Sequence, residues 1–182
     1  MKNIFKTTLL VSGMIASSSL MAATPGTLGT TSTGTLDIEV DVEDLVMISG
    51  LSDIAIAFDN TGTGDLTGSS TACIYRNGAG TYSVNATGDG GVGGTDFSIQ
   101  NATPVPTVVP YTVEWDDDVA GSNYSAVALG TALTGQSGAN TTDTACGTGA
   151  NAIVQVTVPR ASLAAAPAGT YNGTLTLEIA PE

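Results

Sequence analysis

The sequence predicts an all-β sandwich. Three observations carry that expectation. Apolar residues alternate with polar ones at a period of two in one short run after another. Clusters of Gly, Asn, Asp, Ser and Thr separate these runs at short intervals. Outside the N-terminal leader, no stretch shows the 3.6-residue repeat of an amphipathic helix of any length. The composition agrees: 42% of residues are hydrophobic, which is enough for a core, while only 12% are charged.

The chain begins with what reads as a secretory signal peptide, residues 1–22. Lys2 and Lys6 form its charged start, Thr8 to Ile15 its apolar centre, and Ser17 to Ala23 its small-residue end. The apolar run is too short and too rich in serine to span about 30 Å of hydrocarbon. Cleavage after Ala22 or Ala23 leaves about 160 residues, enough for one domain that buries roughly 70% of its unfolded surface.

Export changes the charge arithmetic. Of four cationic residues, Lys2 and Lys6 lie in the leader, leaving Arg76 and Arg160 against 17 acids, a net charge of −15. Neither nucleic acid nor an anionic membrane surface is an expected partner, because both need a basic face. Without histidine or a mature lysine, Ser-His-Asp chemistry, histidine metal sites and Schiff-base chemistry are excluded. No enzymatic activity, catalytic residue, cofactor or metal site is expected.

Residues 23–43 form the next part. Thr24 to Thr33 is a polar, low-complexity leader with nothing to bury. It runs into the clearest pattern in the chain: Leu36, Ile38, Val40 and Val42 alternate with Asp37, Glu39, Asp41 and Glu43. Period two puts four apolar side chains on one face of a strand and four carboxylates on the other. The carboxylates repel one another, so the strand gains little alone and needs a partner sheet.

Residues 44–182 read as the sandwich. Leu45 to Ile48 is a short apolar run ended by Ser49-Gly50. Ile54, Ile56 and Phe58 alternate before the turn Asp59 to Gly62. Ala72 to Arg76 is a strand closed by Asn77-Gly78, a hairpin-type signal. Tyr82, Val84 and Ala86 alternate, then Gly88 to Gly91 turns. Phe97 and Ile99 belong to another strand, and Pro104, Pro106 and Pro110 break the stretch before Tyr111, Val113 and Trp115. Val127 to Leu133 is a weaker strand candidate. Val154, Val156 and Val158 alternate, as do Leu175, Leu177 and Ile179. Leu163 to Ala166 has room for one helical turn between Pro159 and Pro167.

Cys73 and Cys146 are the only cysteines. In an oxidising compartment the simplest reading is one disulfide, the alternatives being two free thiols or a metal site that lacks further ligands. Asp116-Asp117-Asp118 reads as a solvated acidic turn in preference to a calcium site, since adjacent residues point in different directions. Gly90 to Asp96 reads as a loop in preference to a calcium repeat, and Trp115 as core in preference to a sugar platform. Asn85-Ala86-Thr87 is a sequon of the kind chance supplies in so threonine-rich a chain.

The alternating strand at the start of the mature chain, followed by a run of strands, suggests a sandwich whose missing edge is supplied by a neighbour. The alternative is a self-contained secreted β-sandwich that binds carbohydrate or another surface ligand. Residues at both ends favour the first reading. Thr33 to Val42 resembles the donor strand of archaic chaperone–usher pilus subunits of the spore-coat-U-like family. Val156 to Pro159, Pro167-Ala168-Gly169-Thr170-Tyr171 and Gly173 to Ile179 resemble that family's closing segment and last strand. The resemblance implies an incomplete immunoglobulin-like β-sandwich, a pilin fold completed by a donor strand from a neighbouring subunit. It implies that Leu36, Ile38, Val40 and Val42 fill a groove bordered by Leu175, Leu177 and Ile179. It also implies a periplasmic chaperone, an outer-membrane usher and identical or related pilin subunits as partners, with export to a surface fimbrium that supports adhesion and biofilm formation. The chain departs from the family in placing Cys73 far beyond the donor strand and in ending Ala180-Pro181-Glu182.

Overall fold

The computed structural model describes residues 23–90, 96–101, 107–147 and 149–182. The segment read as a signal peptide, most of the Gly90–Asp96 loop, Pro104 and Pro106 lie outside the described residues. The chain divides after Val42 into two compact units.

In the first unit, Thr24 and Thr35 exchange two backbone hydrogen bonds of 2.9 and 3.0 Å, closing the polar leader on itself. Residues 36–42 beyond them form no strand. The alternating pattern predicts one, and the difference has a simple cause. A strand needs a ladder partner for its N–H and C=O groups, and none is available to it here.

The second unit contains ten strands and one short helix among the described residues. One sheet has the order β1-β2-β9-β6-β7: β1 (Val46–Ser49), β2 (Leu66–Arg76), β9 (Ala152–Val158), β6 (Thr112–Asp116) and β7 (Ser125–Ala126). The second has the order β10-β3-β8: β10 (Leu175–Pro181), β3 (Tyr82–Gly88) and β8 (Leu133–Gln136). A separate ribbon pairs β4 (Ser98–Asn101) with β5 (Thr107–Pro110). All strand pairs are antiparallel.

The two larger sheets share one core, as a sandwich requires. Alternation supplies it from both sides. Val154, Val156 and Val158 of β9 and Val113 and Trp115 of β6 face Tyr82, Val84 and Ala86 of β3, with Leu175, Leu177 and Ile179 of β10 packed against them. Trp115 is fully buried, which makes it core and not a sugar platform.

Several details depart from the sequence reading. β2 starts at Leu66, well before Ala72, although Thr67 to Thr71 has no apolar alternation. The ladder to β9, from Leu66 opposite Val158 to Ala72 opposite Ala152, holds it. Asn77-Gly78 closes no hairpin: β2 and β3 lie in different sheets, so the turn is a crossover. Asn77 instead accepts a hydrogen bond from Leu45 N (2.8 Å) and donates one to the Glu43 carbonyl (2.6 Å). Ile54 to Phe58 alternates but forms no strand. Of the stretch Val127 to Leu133, only Leu133 is in a strand, as the first residue of β8; the rest connects β7 to β8. The helical turn is α1 (Arg160–Ala165). Asp116 is buried, not solvated, and its carboxylate accepts from Asp118 N (3.0 Å) and Asn123 N (2.7 Å).

A candidate strand-docking groove

The core is open on one side. β10 pairs with β3 along one edge and, among the described residues, has no strand partner on the other, so that edge is open. Across from it runs the extended segment Gly50–Phe58, whose backbone makes no backbone–backbone hydrogen bond among the described residues. Between them lies a groove of about 1200 Å³. Ile54, Ile56 and Phe58 line one wall, Leu175 and Leu177 the other, and Val154, Val156 and Val158 the floor. Ile179, the third residue on this face of β10, lies outside that lining and packs against the core.

The segment 50–58 is held without a ladder. Ser52 N donates to Ser70 Oγ at 2.8 Å. Ile54 and Ile56 lie over Gly68 of β2, the one residue whose lack of a side chain leaves them room. At the segment's end, Arg160 stacks its guanidinium 5.3 Å from the centre of the Phe58 ring and donates to the carbonyls of Asp59 and Gly64, each at 2.6 Å. Asp59 folds the following turn by accepting from Thr61 N (2.6 Å) and Thr61 Oγ1 (2.5 Å), which hold its carboxyl below the usual range.

The start of the second unit is clamped as well. Arg76 is almost wholly buried, and its guanidinium takes Asp44 in a two-pronged pair, with Nε to Oδ1 at 2.9 Å and Nη2 to Oδ2. The same guanidinium donates to the carbonyls of Thr81 and Glu182, the latter at 2.8 Å. The Arg76 hydrogen bonds hold the Asp44 carboxyl below its ordinary value. Arg76 and Arg160 are therefore both consumed as staples inside the second unit, something their distant partners hid from the sequence.

The residues read as a donor strand sit in the first unit and are all exposed: Leu36 69%, Ile38 83%, Val40 77% and Val42 74%. Four large aliphatic side chains at alternate positions are thus exposed among the described residues.

Cys73 and Cys146 form a disulfide with Cα atoms 5.8 Å apart. It ties β2 to the loop after Asn140 and closes 73 residues, for which the chain-entropy account gives about 4 kcal/mol. Next to the groove, a polar hollow of about 620 Å³ is lined by Asp89, Gln100, Asn101 and Thr174. Asp89 Oδ1 is occupied by Thr174 N at 2.7 Å. Gln100 and Asn172 exchange backbone hydrogen bonds of 2.9 and 3.0 Å, which fixes the Pro167–Gly173 stretch beside β4. No group of three or more acidic or cysteine side chains capable of holding a metal occurs among the described residues. No helix there is long and apolar enough to cross a membrane.

The chain matches no family profile and no curated protein. It does match a solved structure, a chain from the chaperone–tip adhesin complex of CFA/I fimbriae biogenesis, with a TM-score of 0.51 and 16% identity. That alignment covers 75% of this chain and 41% of the other, so this chain spans less than half the length of its structural neighbour. At this identity the likeness is one of fold, and it agrees with the all-β sandwich.

Proposed function

We propose that this protein is a structural subunit of a surface pilus, joined to its neighbours by donor-strand exchange. The observation that carries the reading is an open groove with an aliphatic floor of Val154, Val156 and Val158 beside an unpaired strand edge, in a chain that also holds a detached, strictly alternating apolar segment. Residues 36–42 of one copy would pair with β10 of the next, with Leu36, Ile38, Val40 and Val42 pointing into the groove. Burying the four side chains contributes roughly 1.5–3 kcal/mol each, on the order of 6–12 kcal/mol together. The ladder bonds and the covered edge of β10 add to this.

Donation from one end of the chain to the groove of another copy is head-to-tail and does not close on itself, so it yields a filament. A subunit with an open core aggregates before it assembles. That need is met by the periplasmic chaperone, which on this reading fills the groove until an outer-membrane usher exchanges it for the next subunit. The fibre would then stand on the cell surface, with adhesion and biofilm formation as its roles. The fold likeness to a chaperone–tip adhesin complex of fimbriae supports the reading.

The deciding experiment removes Gly34 to Glu43 and looks for polymer by electron microscopy. The expected result is folded subunit without fibres. Normal fibres from the deleted chain would sink the proposal.

A further inference from the structure

Arg76 touches two parts of the chain that matter together only in a fibre. On one side it grips Asp44, the second residue after the N-terminal unit ends. On the other it holds the carbonyl of Glu182, the residue next to the end of β10. We propose that Arg76 is a tension tie. It fastens the root of the N-terminal segment to the far end of the groove-bordering strand, so that load arriving on one passes to the other through a side chain. This role rests on the strand-exchange reading above.

The local geometry fits a load-bearing joint. Pull on the N-terminal segment reaches the second unit at Glu43. There the Asn77 amide holds the Glu43 carbonyl and the Leu45 N–H, so the backbone is fixed on both sides of Asp44. β1 follows at once, with Val46 paired opposite Arg76 itself. β1 has only four residues, and its ladder alone would open from the end at which force enters. The Asp44–Arg76 pair stands in front of that ladder. Arg76 is 3% exposed, which holds its fork in one geometry, while the Asp44 side chain stays 43% exposed to water.

The tie continues past Arg76. Glu182 N donates to the Thr81 carbonyl at 2.9 Å, and Thr81 also accepts from Arg76. Glu182 Oε2 accepts from Gly135 N at 2.8 Å, reaching β8 at the opposite edge of the sheet that β10 begins. A bond network therefore runs from Asp44 through Arg76 and Glu182 to Gly135. An arginine that served only to neutralise Asp44 would need neither the Glu182 nor the Thr81 contact.

Two measurements test the tie, with Asp44→Asn as the main variant and Arg76→Lys as a second that keeps the charge but loses the fork. Hydrogen exchange on the full-length subunit should show faster exchange at Gly135 in Asp44→Asn, by tenfold or more, with the Trp115 amide in the core unchanged. Fibres of either variant should fragment under shear at least twofold faster than wild type while growing at the same rate. Unchanged Gly135 exchange, or unchanged fragmentation, overturns the tie. Wild-type chain that forms no fibres, or fibres that survive removal of 34–43, would instead strike the strand-exchange reading; a Gly135 effect seen then still supports the network.

Discussion

Ile54 lies directly over Gly68: the Cγ2 methyl of the isoleucine fills the space a side chain at position 68 would need, and Ile56 Cγ1 sits 3.0 Å from the same point. The groove's free wall is therefore seated on a missing side chain. A methyl group at position 68 would lift Ile54 and Ile56 away from β2 and into the space proposed for the donor strand. Gly68→Ala should destabilise the subunit by about 1–3 kcal/mol, the usual cost of overpacking. It should also weaken binding of a synthetic peptide spanning residues 34–43. Denaturant melts and peptide titration check the two effects. Tight peptide binding by the variant would show that the wall does not rest on Gly68.

Stability should depend on pH in an uncommon way. From Ala23 onward the chain has no histidine and no lysine, so no side chain of the usual kind titrates between about pH 5 and 9. Three aspartates are held below their ordinary value of 3.8: Asp44 by Arg76, Asp59 by Thr61, and Asp143 by the N–H groups of Ala145 and Gly147. Their contribution is present above the unfolded value and is lost as pH falls below 3.8 through the folded values. Burial pushes the Tyr82 hydroxyl up from 10.0. A raised value means its contribution is complete below pH 10 and is lost as pH rises beyond it. Melting temperature measured across pH should give a flat plateau with losses below 3.8 and above 10. A step near pH 6.5 would contradict this.

How much of this was legible in the sequence depends on where the partners lie. β3, β6, β9 and β10 were readable because each carries two or three inward aliphatic or aromatic residues at period two, a signal local to the strand. The first half of β2, Leu66 to Thr71, was not, because its stability comes from the ladder to β9, about 90 residues away. Ile54 to Phe58 showed how pattern and pairing differ. Its alternation marks an inward face, yet its backbone has no ladder, so it is a groove wall and not a strand. The groove itself appears only once topology brings that wall opposite β10, with Val154 to Val158 between them. The resemblance at the end of the chain offers Leu175, Leu177 and Ile179 as a groove edge, of which Leu175 and Leu177 line the groove. The roles of Arg76 and Arg160 could not be read in advance, since a guanidinium's carbonyl partners leave no trace in a sequence. Asp116 was misread for a related reason: its two amide donors come from the turn it organises.

That turn supplies a further prediction. The Asp116 carboxylate satisfies two backbone N–H groups, from Asp118 and Asn123, at a site 1% exposed. Asp116→Ala leaves both without a partner and should cost about 1–3 kcal/mol for each donor that water cannot reach. Asp116→Asn keeps one acceptor oxygen and should cost less. Neither the wild type nor the asparagine variant should gain melting temperature from millimolar calcium, because both carboxylate oxygens are already committed to amides. Thermal melts with and without calcium measure both points, and a calcium-dependent rise in the wild type would reopen the cation reading of Asp116 to Asp118.

The donor segment can be tested one face at a time. Val40 is 77% exposed in the single subunit, so changing it should leave the monomer's stability within about 0.5 kcal/mol of wild type. In the proposed complex the same position would enter a groove whose lining includes Ile54, Ile56, Leu175 and Leu177 and no cation. Val40→Asp would then forfeit about 1.5–3 kcal/mol of apolar burial and add the cost of an unpaired carboxylate in an apolar site. At about 1.4 kcal/mol per tenfold change, a donor peptide carrying the substitution should bind at least tenfold more weakly. Glu39→Gln, one residue away on the outward face, should bind as the parent does or slightly better, because the chain from Ala23 onward already carries a charge of −15. The contrast between neighbours is what carries the test. A general loss of solubility or strand propensity would move both variants alike, whereas insertion with period two must separate them. Equal binding by the two peptides would mean that this segment does not enter the groove as an alternating strand.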